Sequence, residues 1–330
     1  MTNKLLHSVA ILVMVWVGIQ GQLLVGQATP AVASAGPKRP LSILRAMDVP
    51  PKLAPAIRPT GSQSDAVALG LAKVKSYQFR TVDYPGANSS DSWDNNNGTA
   101  VGYFAFSTGG DVPFYFHDNS YHLVNVPLSL DSYFLGSNAS GQMVGAFEDQ
   151  ANVLHGLLYD GTSFVTIDPP GSVFTEVADI SDSSVIVGEY NDGTTTHGFV
   201  DNSGTFTIID FPGATGTLAS GVNSNGDIVG FYSTPGATHG FLLSGGVYHS
   251  IDFPLTTFTR AQGINDAGEI AGWFVDTNGL AHGFTFARGA FNQIDVAGAS
   301  GTEIHRIKNN GNVIGLYLDE RIEAHGIIGH

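Results

Sequence analysis

Short apolar runs, separated by turns of Gly, Asn, Ser and Pro, fill most of this chain. In the clearest unit, between Leu218 and Phe253, the runs are LASGVN, DIVGFYS, THGFLL and GVYHSIDF, and the breaks between them are NSNG, TPGA and SGG. Gly and Asn tolerate positive φ and Pro presets it, so each break reads as a turn. Val, Ile, Phe, Tyr and Thr dominate the runs, which suits a pleated surface. DIVGFY and GFLLSG are apolar in both phases of a two-residue period. The strands are therefore expected to be covered on both faces.

The unit recurs. An apolar residue and a Gly after a turn stand at Gly102, Gly145, Gly188, Gly230, Gly272 and Gly315, stepping by 43, 43, 42, 42 and 43 residues. His-Gly stands at His155, His197, His239, His282 and His325, and an Asp precedes a turn at Asp83, Asp168, Asp210, Asp252 and Asp295, with Asn125 in the vacant slot. A period of about 40–50 residues with four strands per unit predicts propeller blades, whereas β-helix coils are usually shorter. The first run, Tyr77 to Gly86, is a fourth strand without the other three, and the last unit, from Glu303, has three strands without a fourth. Together they make one blade. The predicted fold is all-β: a six-bladed β-propeller with four strands per blade, closed by pairing the N-terminal strand with the C-terminal blade. Closure removes exposed sheet edges.

Upstream of the blades the composition changes. Residues 1–35 read as a signal peptide: Lys4, then the apolar run Val9 to Ile19, then QATPAVASA with cleavage expected after Ala33 or Ala35. An uncleaved anchor is the rival reading, but Gln20 and Gln22 break the apolar run before it spans a bilayer. Residues 36–76 form a Pro-rich linker, expected to be disordered apart from a helical turn or two over Asp65 to Lys75, and residues 77–330 are the propeller. Residues 77–330 hold six basic against 27 acidic side chains. That balance argues against nucleic acid as a partner. The chain has no Cys, so disulfides and thiol nucleophiles are excluded.

The segments Ile264-Asn265 through Gly272, the His-Gly-Phe triplets at His197, His239 and His282, and the Asp turns together resemble the extracellular repeats of the HAF (His-Ala-Phe) family. The likeness covers about Tyr77 to His330. It departs from the family pattern in having Gly for Ala, and Val112-Pro113 in place of the first His-Gly. The resemblance implies an exported bacterial repeat protein and no particular activity.

Candidate chemistry is weighed against this scaffold. The repeated His residues fall in different blades, so they are expected to be structural, bonding a neighbouring loop's backbone, and not to hold a metal. The repeated Asp residues are expected to accept backbone N–H groups in Asx-type turns. The Asn-rich turns lack the spacing of a calcium loop and read as hairpins, with Gly98, Gly141, Gly226, Gly268 and Gly311 at positive φ. No nucleophile elbow, zincin motif, phosphate loop or dinucleotide fingerprint occurs. What varies between units is the turn between second and third strands, so ligand contacts are expected on that rim: Glu148, Asp149, Asp192, Trp273, Asp276, Asp319 and Glu320. The reading is a secreted or periplasmic binding module for glycan or protein, expected to be a monomer, without cofactor or membrane span after signal cleavage. An extracellular polysaccharide hydrolase or lyase on the same scaffold is the alternative, and a structural envelope component the third possibility.

Overall fold

A computed structural model describes residues 76–96, 99–106, 110–118 and 120–330. The expected signal segment, nearly all of the expected linker and Gly98 lie outside these residues.

Six four-stranded antiparallel sheets follow one another. The first blade is β2 (Ser89–Asn96), β3 (Thr99–Ala105), β4 (Asp111–His117) and β5 (Ser120–Leu123), preceded in the chain by β1 (Phe79–Val82). The second is β6 (Asp131–Ser137), β7 (Met143–Glu148), β8 (Leu154–Tyr159) and β9 (Phe164–Ile167). The third is β10 (Phe174–Ile180), β11 (Val185–Asn191), β12 (Thr196–Asn202) and β13 (Thr205–Ile209). The fourth is β14 (Gly216–Val222), β15 (Ile228–Thr234), β16 (Ala237–Ser244) and β17 (Val247–Ile251). The fifth is β18 (Thr259–Ile264), β19 (Ile270–Val275), β20 (Ala281–Ala287) and β21 (Ala290–Ile294). The sixth is β22 (Gly301–Ile307), β23 (Val313–Leu318) and β24 (Ala324–Gly329), completed by β1. Phe79 pairs with Gly329 and Val82 with Gly326, so the N-terminal strand closes the ring as expected. The first strands of neighbouring blades touch all the way round, from β2 through β22 and back to β2.

One irregularity recurs and shapes everything inside the ring. In each blade the first strand carries a one-residue bulge: Trp93, Leu135, Ala178, Ser220, Gln262 and His305. Each landmark Gly faces the strand beside its bulge. A Cβ on Gly145 would lie 1.9 Å from the Tyr133 carbonyl oxygen, and one on Gly230 1.9 Å from that of Leu218. Glycine recurs there because only a residue without Cβ admits that carbonyl.

Between blades the core is aromatic and aliphatic. Phe104, Phe114, Phe134, Phe199, Phe241 and Phe284 are fully buried. The Asn turns stitch neighbouring blades. Asn138 Oδ1 accepts from the N–H of Ser140 and Gln142, while its Nδ2 donates to Ser181 O of the next blade. Asn223 and Asn265 repeat this toward Asn265 O and Lys308 O. Gly141, Gly226, Gly268 and Gly311 take positive φ there, and Ser184 does so in the third blade. No helix among the described residues is long and apolar enough to cross a membrane.

Candidate functional site

The six bulge residues converge on one cavity along the ring axis, with a volume of about 670 Å³. A strand normally sends alternate residues to opposite faces, and a bulge resets that alternation and re-aims a side chain. Two residues before each bulge stands a second ring: Asp91, Tyr133, Glu176, Leu218, Arg260 and Glu303. All of these except Tyr133 line the same cavity. Their cross-strand partners are Tyr103, Ala146, Glu189, Phe231, Trp273 and Leu316. Glu189, Phe231, Trp273 and Leu316 extend the wall, which reaches half-buried and exposed positions at Thr196, Thr215 and Ser233. None of these three positions repeats its residue faithfully from blade to blade, although the scaffold around them does.

The wall is chemically rich. Asp91 Oδ2 accepts from Trp93 Nε1 and from Tyr103 Oη, both at 2.8 Å. Tyr133 Oη donates to Glu176 Oε2 at 2.6 Å. His305 stacks on Trp93 with ring centroids 3.8 Å apart. Its nitrogens lie 3.6 Å from Asp91 Oδ1 on one side and 3.6 Å from Glu303 Oε2 on the other. The Arg260 guanidinium lies 4.2 Å from the Phe231 ring centroid and 5.3 Å from that of Trp273. Asp91 Oδ1, Glu303 Oε1 and Trp273 Nε1 are buried without a hydrogen-bond partner. Burial pushes the Glu303 carboxyl up to about 8, against the opposing charge of Arg260. Burial also raises Asp91, against His305 and the hydrogen bonds from Tyr103 and Trp93.

Arg306 forms the floor. Its guanidinium donates to the carbonyl oxygens of four bulge residues: Gln262 at 2.7 Å, His305 at 3.0 Å, Leu135 at 3.3 Å and Ala178 at 2.8 Å. Its Nε lies 3.7 Å from Asp179 Oδ1. The bulge leaves these carbonyls free to turn inward, and Gly136, Gly221 and Gly263 at the equivalent positions leave room for one long side chain. Below Arg306 a second cavity of about 380 Å³ opens among the Asn turns, lined by Asp179, Asn223, Asn265 and Lys308.

The rim residues read from the sequence are dispersed over several blades. Asp149, Asp192, Asp276 and Asp319 each cap their own loop: Asp149 Oδ1 accepts from Ala151 and Val153 N–H, and Asp319 Oδ1 from Arg321 and Glu323 N–H. Glu148 is half-buried at the end of β7, and Glu320 is exposed in its loop. Trp273, expected on the rim, is instead 2% exposed within β19 and lines the axial cavity. It directly follows the landmark Gly, and that register turns it inward.

The repeated His and Asp residues also differ from expectation: they bond each other. Nδ1 of His155, His197, His239, His282 and His325 meets Asp168, Asp210, Asp252, Asp295 and Asp83 at 2.7–3.0 Å. On the other side, Nε2 of four of them lies 3.5–3.8 Å from Asp149, Asp192, Asp276 and Asp319. An aromatic residue stacks on each ring, for example Tyr190 on His197. A carboxylate oxygen thus fixes the imidazole where a backbone bond was expected. The backbone N–H after the Asp is capped instead by the next blade, as Thr217 Oγ1 does for Phe211 and Thr259 Oγ1 for Phe253. Among the described residues, Asp319, Glu323 and His325 form the one cluster whose ligand atoms all lie within 4.8 Å of one another, close enough to suit a metal ion.

Sequence reasoning missed the axial site because it searched the turns for variation. The available signal was variation inside the first strand, three and five residues before each Asn turn.

The fold and the site define a six-bladed β-propeller with a polar, aromatic-walled axial cavity. No family model and no curated protein sequence matches the chain. Among solved structures it is similar to Aleuria aurantia lectin, a six-bladed fungal propeller with a fucose recognition mode, at 14% identity over 72% of this chain and 90% of that one, TM-score 0.48. It is also similar to the β-propeller domain of the Trilobed protease from Pyrococcus furiosus, at 9% identity over 74% and 94%, TM-score 0.48. The Trypanosoma rangeli sialidase aligns at 10% identity over 76% and 59%, TM-score 0.48. At this distance the likenesses carry no ligand across to this chain.

Proposed function

We propose that the protein is a carbohydrate-binding β-propeller whose ligand occupies the axial cavity. The observation that carries this reading is the wall itself: aromatic faces of Trp93, Trp273 and Phe231 beside Asp91, Gln262, Glu303 and His305. A sugar ring offers apolar C–H faces to aromatics and hydroxyls that both donate and accept. Polar atoms left unpaired in a buried wall cost about 1–3 kcal/mol each, so a ligand that pairs them is favoured. The cavity falls within the usual range of small-molecule pockets, roughly 300–1,000 Å³.

The test is a thermal-shift and calorimetric screen of the full chain against mono- and disaccharides. A ligand at 100 times its dissociation constant stabilises the fold by about 2.7 kcal/mol. Ser220→Leu copies the residue that Leu135 supplies at the same ring position of the second blade, so it narrows the cavity with little strain. It should abolish binding and leave the melting temperature unchanged, whereas Glu320→Gln on the rim should leave binding intact. Binding lost through Glu320→Gln and kept in Ser220→Leu would move the site to the rim. Absence of any sugar response would remove the carbohydrate reading.

One arrangement favours a hydrolase as the second reading. Asp91 and Glu303 flank His305, and Glu303, with its pKa pushed up to about 8, is protonated at neutral pH, as a general acid must be. Release of reducing ends from a bound oligosaccharide, lost in Glu303→Gln, would establish it.

A further inference from the structure

The loop before β24 differs from its copies. In the second, third, fifth and sixth blades a loop Asp, namely Asp149, Asp192, Asp276 or Asp319, lies 3.5–3.8 Å from Nε2 of the repeated His. The N–H of that Asp donates to the carbonyl oxygen of Val153, Thr195, Leu280 or Glu323, which makes these four positions equivalent. Of the four, only the sixth blade puts a carboxylate there. Asp319, Glu323 and His325 therefore bring three ligand atoms within 4.8 Å of one another. All three come from one loop and the strand that follows it, so the separation of the repeated His between blades is no obstacle.

His325 is set up to ligate. Its Nδ1 lies 3.0 Å from Asp83 Oδ2, and a carboxylate only accepts, so Nδ1 carries the hydrogen and Nε2 the lone pair. A carboxylate behind the ring is the usual support of a metal-binding His, because it fixes the ring and raises its basicity. Nε2 then faces Asp319 Oδ2 at 3.8 Å. In the neutral ring these are two acceptors face to face, too far apart for a hydrogen bond, and a cation between them relieves the repulsion. In the fourth blade His239 Nε2 meets the Thr234 hydroxyl at 3.2 Å instead. Asp319 Oδ1 is taken by the N–H groups of Arg321 and Glu323, which leaves Oδ2 for the ion. The Glu323 N–H, with that of Arg321, also holds the Asp319 carboxyl below the usual range, so it is ionised at neutral pH.

We infer that Asp319, Glu323 and His325 Nε2 bind one divalent transition-metal ion of the zinc type, with Asp83 orienting the His and a water or external ligand in the remaining position. One nitrogen and two carboxylate oxygens suit zinc, whose bonds of about 2.0–2.2 Å set ligand atoms ~3.4 Å apart on a tetrahedral ion. Closing around the ion takes a few tenths of an ångström from the 3.8 Å separation, and the exposed Glu323 side chain has room to turn. Calcium takes oxygen ligands, so the imidazole selects against it. None of the three residues lines the axial cavity, so the inference stands apart from the carbohydrate reading.

The experiment is calorimetry of the full chain at pH 7.5 with zinc chloride and, separately, calcium chloride. One zinc per chain should bind, about ten-fold or more tighter than calcium. Glu323→Leu, which installs the residue of the fifth blade, should weaken zinc about ten-fold or more, and Asp83→Asn should weaken it by about 10–100-fold. Leu280→Glu should add a second zinc site in the fifth blade, a gain that a folding defect cannot imitate. Zinc held equally well by Glu323→Leu, calcium bound as tightly as zinc, or no zinc bound at all overturns the inference. A Leu280→Glu chain that still takes a single zinc shows that the three groups do not suffice, and overturns it as well.

Discussion

Arg306 offers the sharpest test of how the ring is held together. Consider Arg306→Met, which keeps an apolar stem of similar reach and deletes the guanidinium. Four donated hydrogen bonds to backbone carbonyls disappear, and buried Asp179 loses the cation 3.7 Å from its carboxylate. Hydrogen bonds to charged groups are worth about 1.5–3 kcal/mol each, so adding four overshoots what one residue can contribute. Two things lower the total. Asp179 Oδ2 keeps the Val222 N–H at 3.1 Å, and the second cavity lies directly below to admit water. Breaking a buried ion pair by removing one partner typically costs about 3–5 kcal/mol, and we expect that range here. At roughly 2–4 °C per kcal/mol for a domain of this size, the melting midpoint should fall by about 10 °C. Urea unfolding followed by Trp93 and Trp273 fluorescence reads the same loss. Asp179→Asn should recover part of it in the double variant, with a coupling of at least ~1 kcal/mol. A single variant within ~1 kcal/mol of the parent would refute the view that Arg306 ties four blades together.

Two further outcomes follow from particular residues. The folded-state pKa of Glu303 lies above its unfolded value, so its contribution to stability is fully present below pH ~4.5 and is lost as pH rises to about 8. Asp91 shifts in the same direction. Urea titrations at pH 6 and pH 9 should show the parent losing about 2–3 kcal/mol more than Glu303→Gln, which mimics the neutral acid, and equal losses would contradict the burial argument. Leu255 holds φ 64° and is 80% exposed, at the turn position where Gly86, Gly171, Gly213 and Gly298 take positive φ. Relief of left-handed strain, less the extra chain entropy of glycine, should make Leu255→Gly more stable by about 0.5–1 kcal/mol, and a lower melting temperature would show that Leu255 makes a contact the turn depends on.

The blade count, the ring closure and the Asn hairpins were legible in the chain because each rests on local chemistry repeated at constant spacing. The landmark glycines are the clearest case: a Cβ at Gly272 would lie 2.0 Å from the Arg260 carbonyl oxygen, and the same collision recurs in every blade, so the residue recurs too. The pairing of His155 with Asp168 was not legible. His155 stands on the third strand and Asp168 just past the end of the fourth, and their contact depends on how those strands register. The axial site was still less so. Trp93, Leu135, Ala178, Ser220, Gln262 and His305 share no residue type, and a bulge breaks the two-residue alternation that would have shown which way they face. Only closure of the ring brings residues some 42–43 positions apart to a single axis. The sequence by itself determined the scaffold, because turns and close backbone approaches are local demands. The tertiary structure alone decided the chemistry of the cavity, because that chemistry is the sum of one unrepeated choice from each blade.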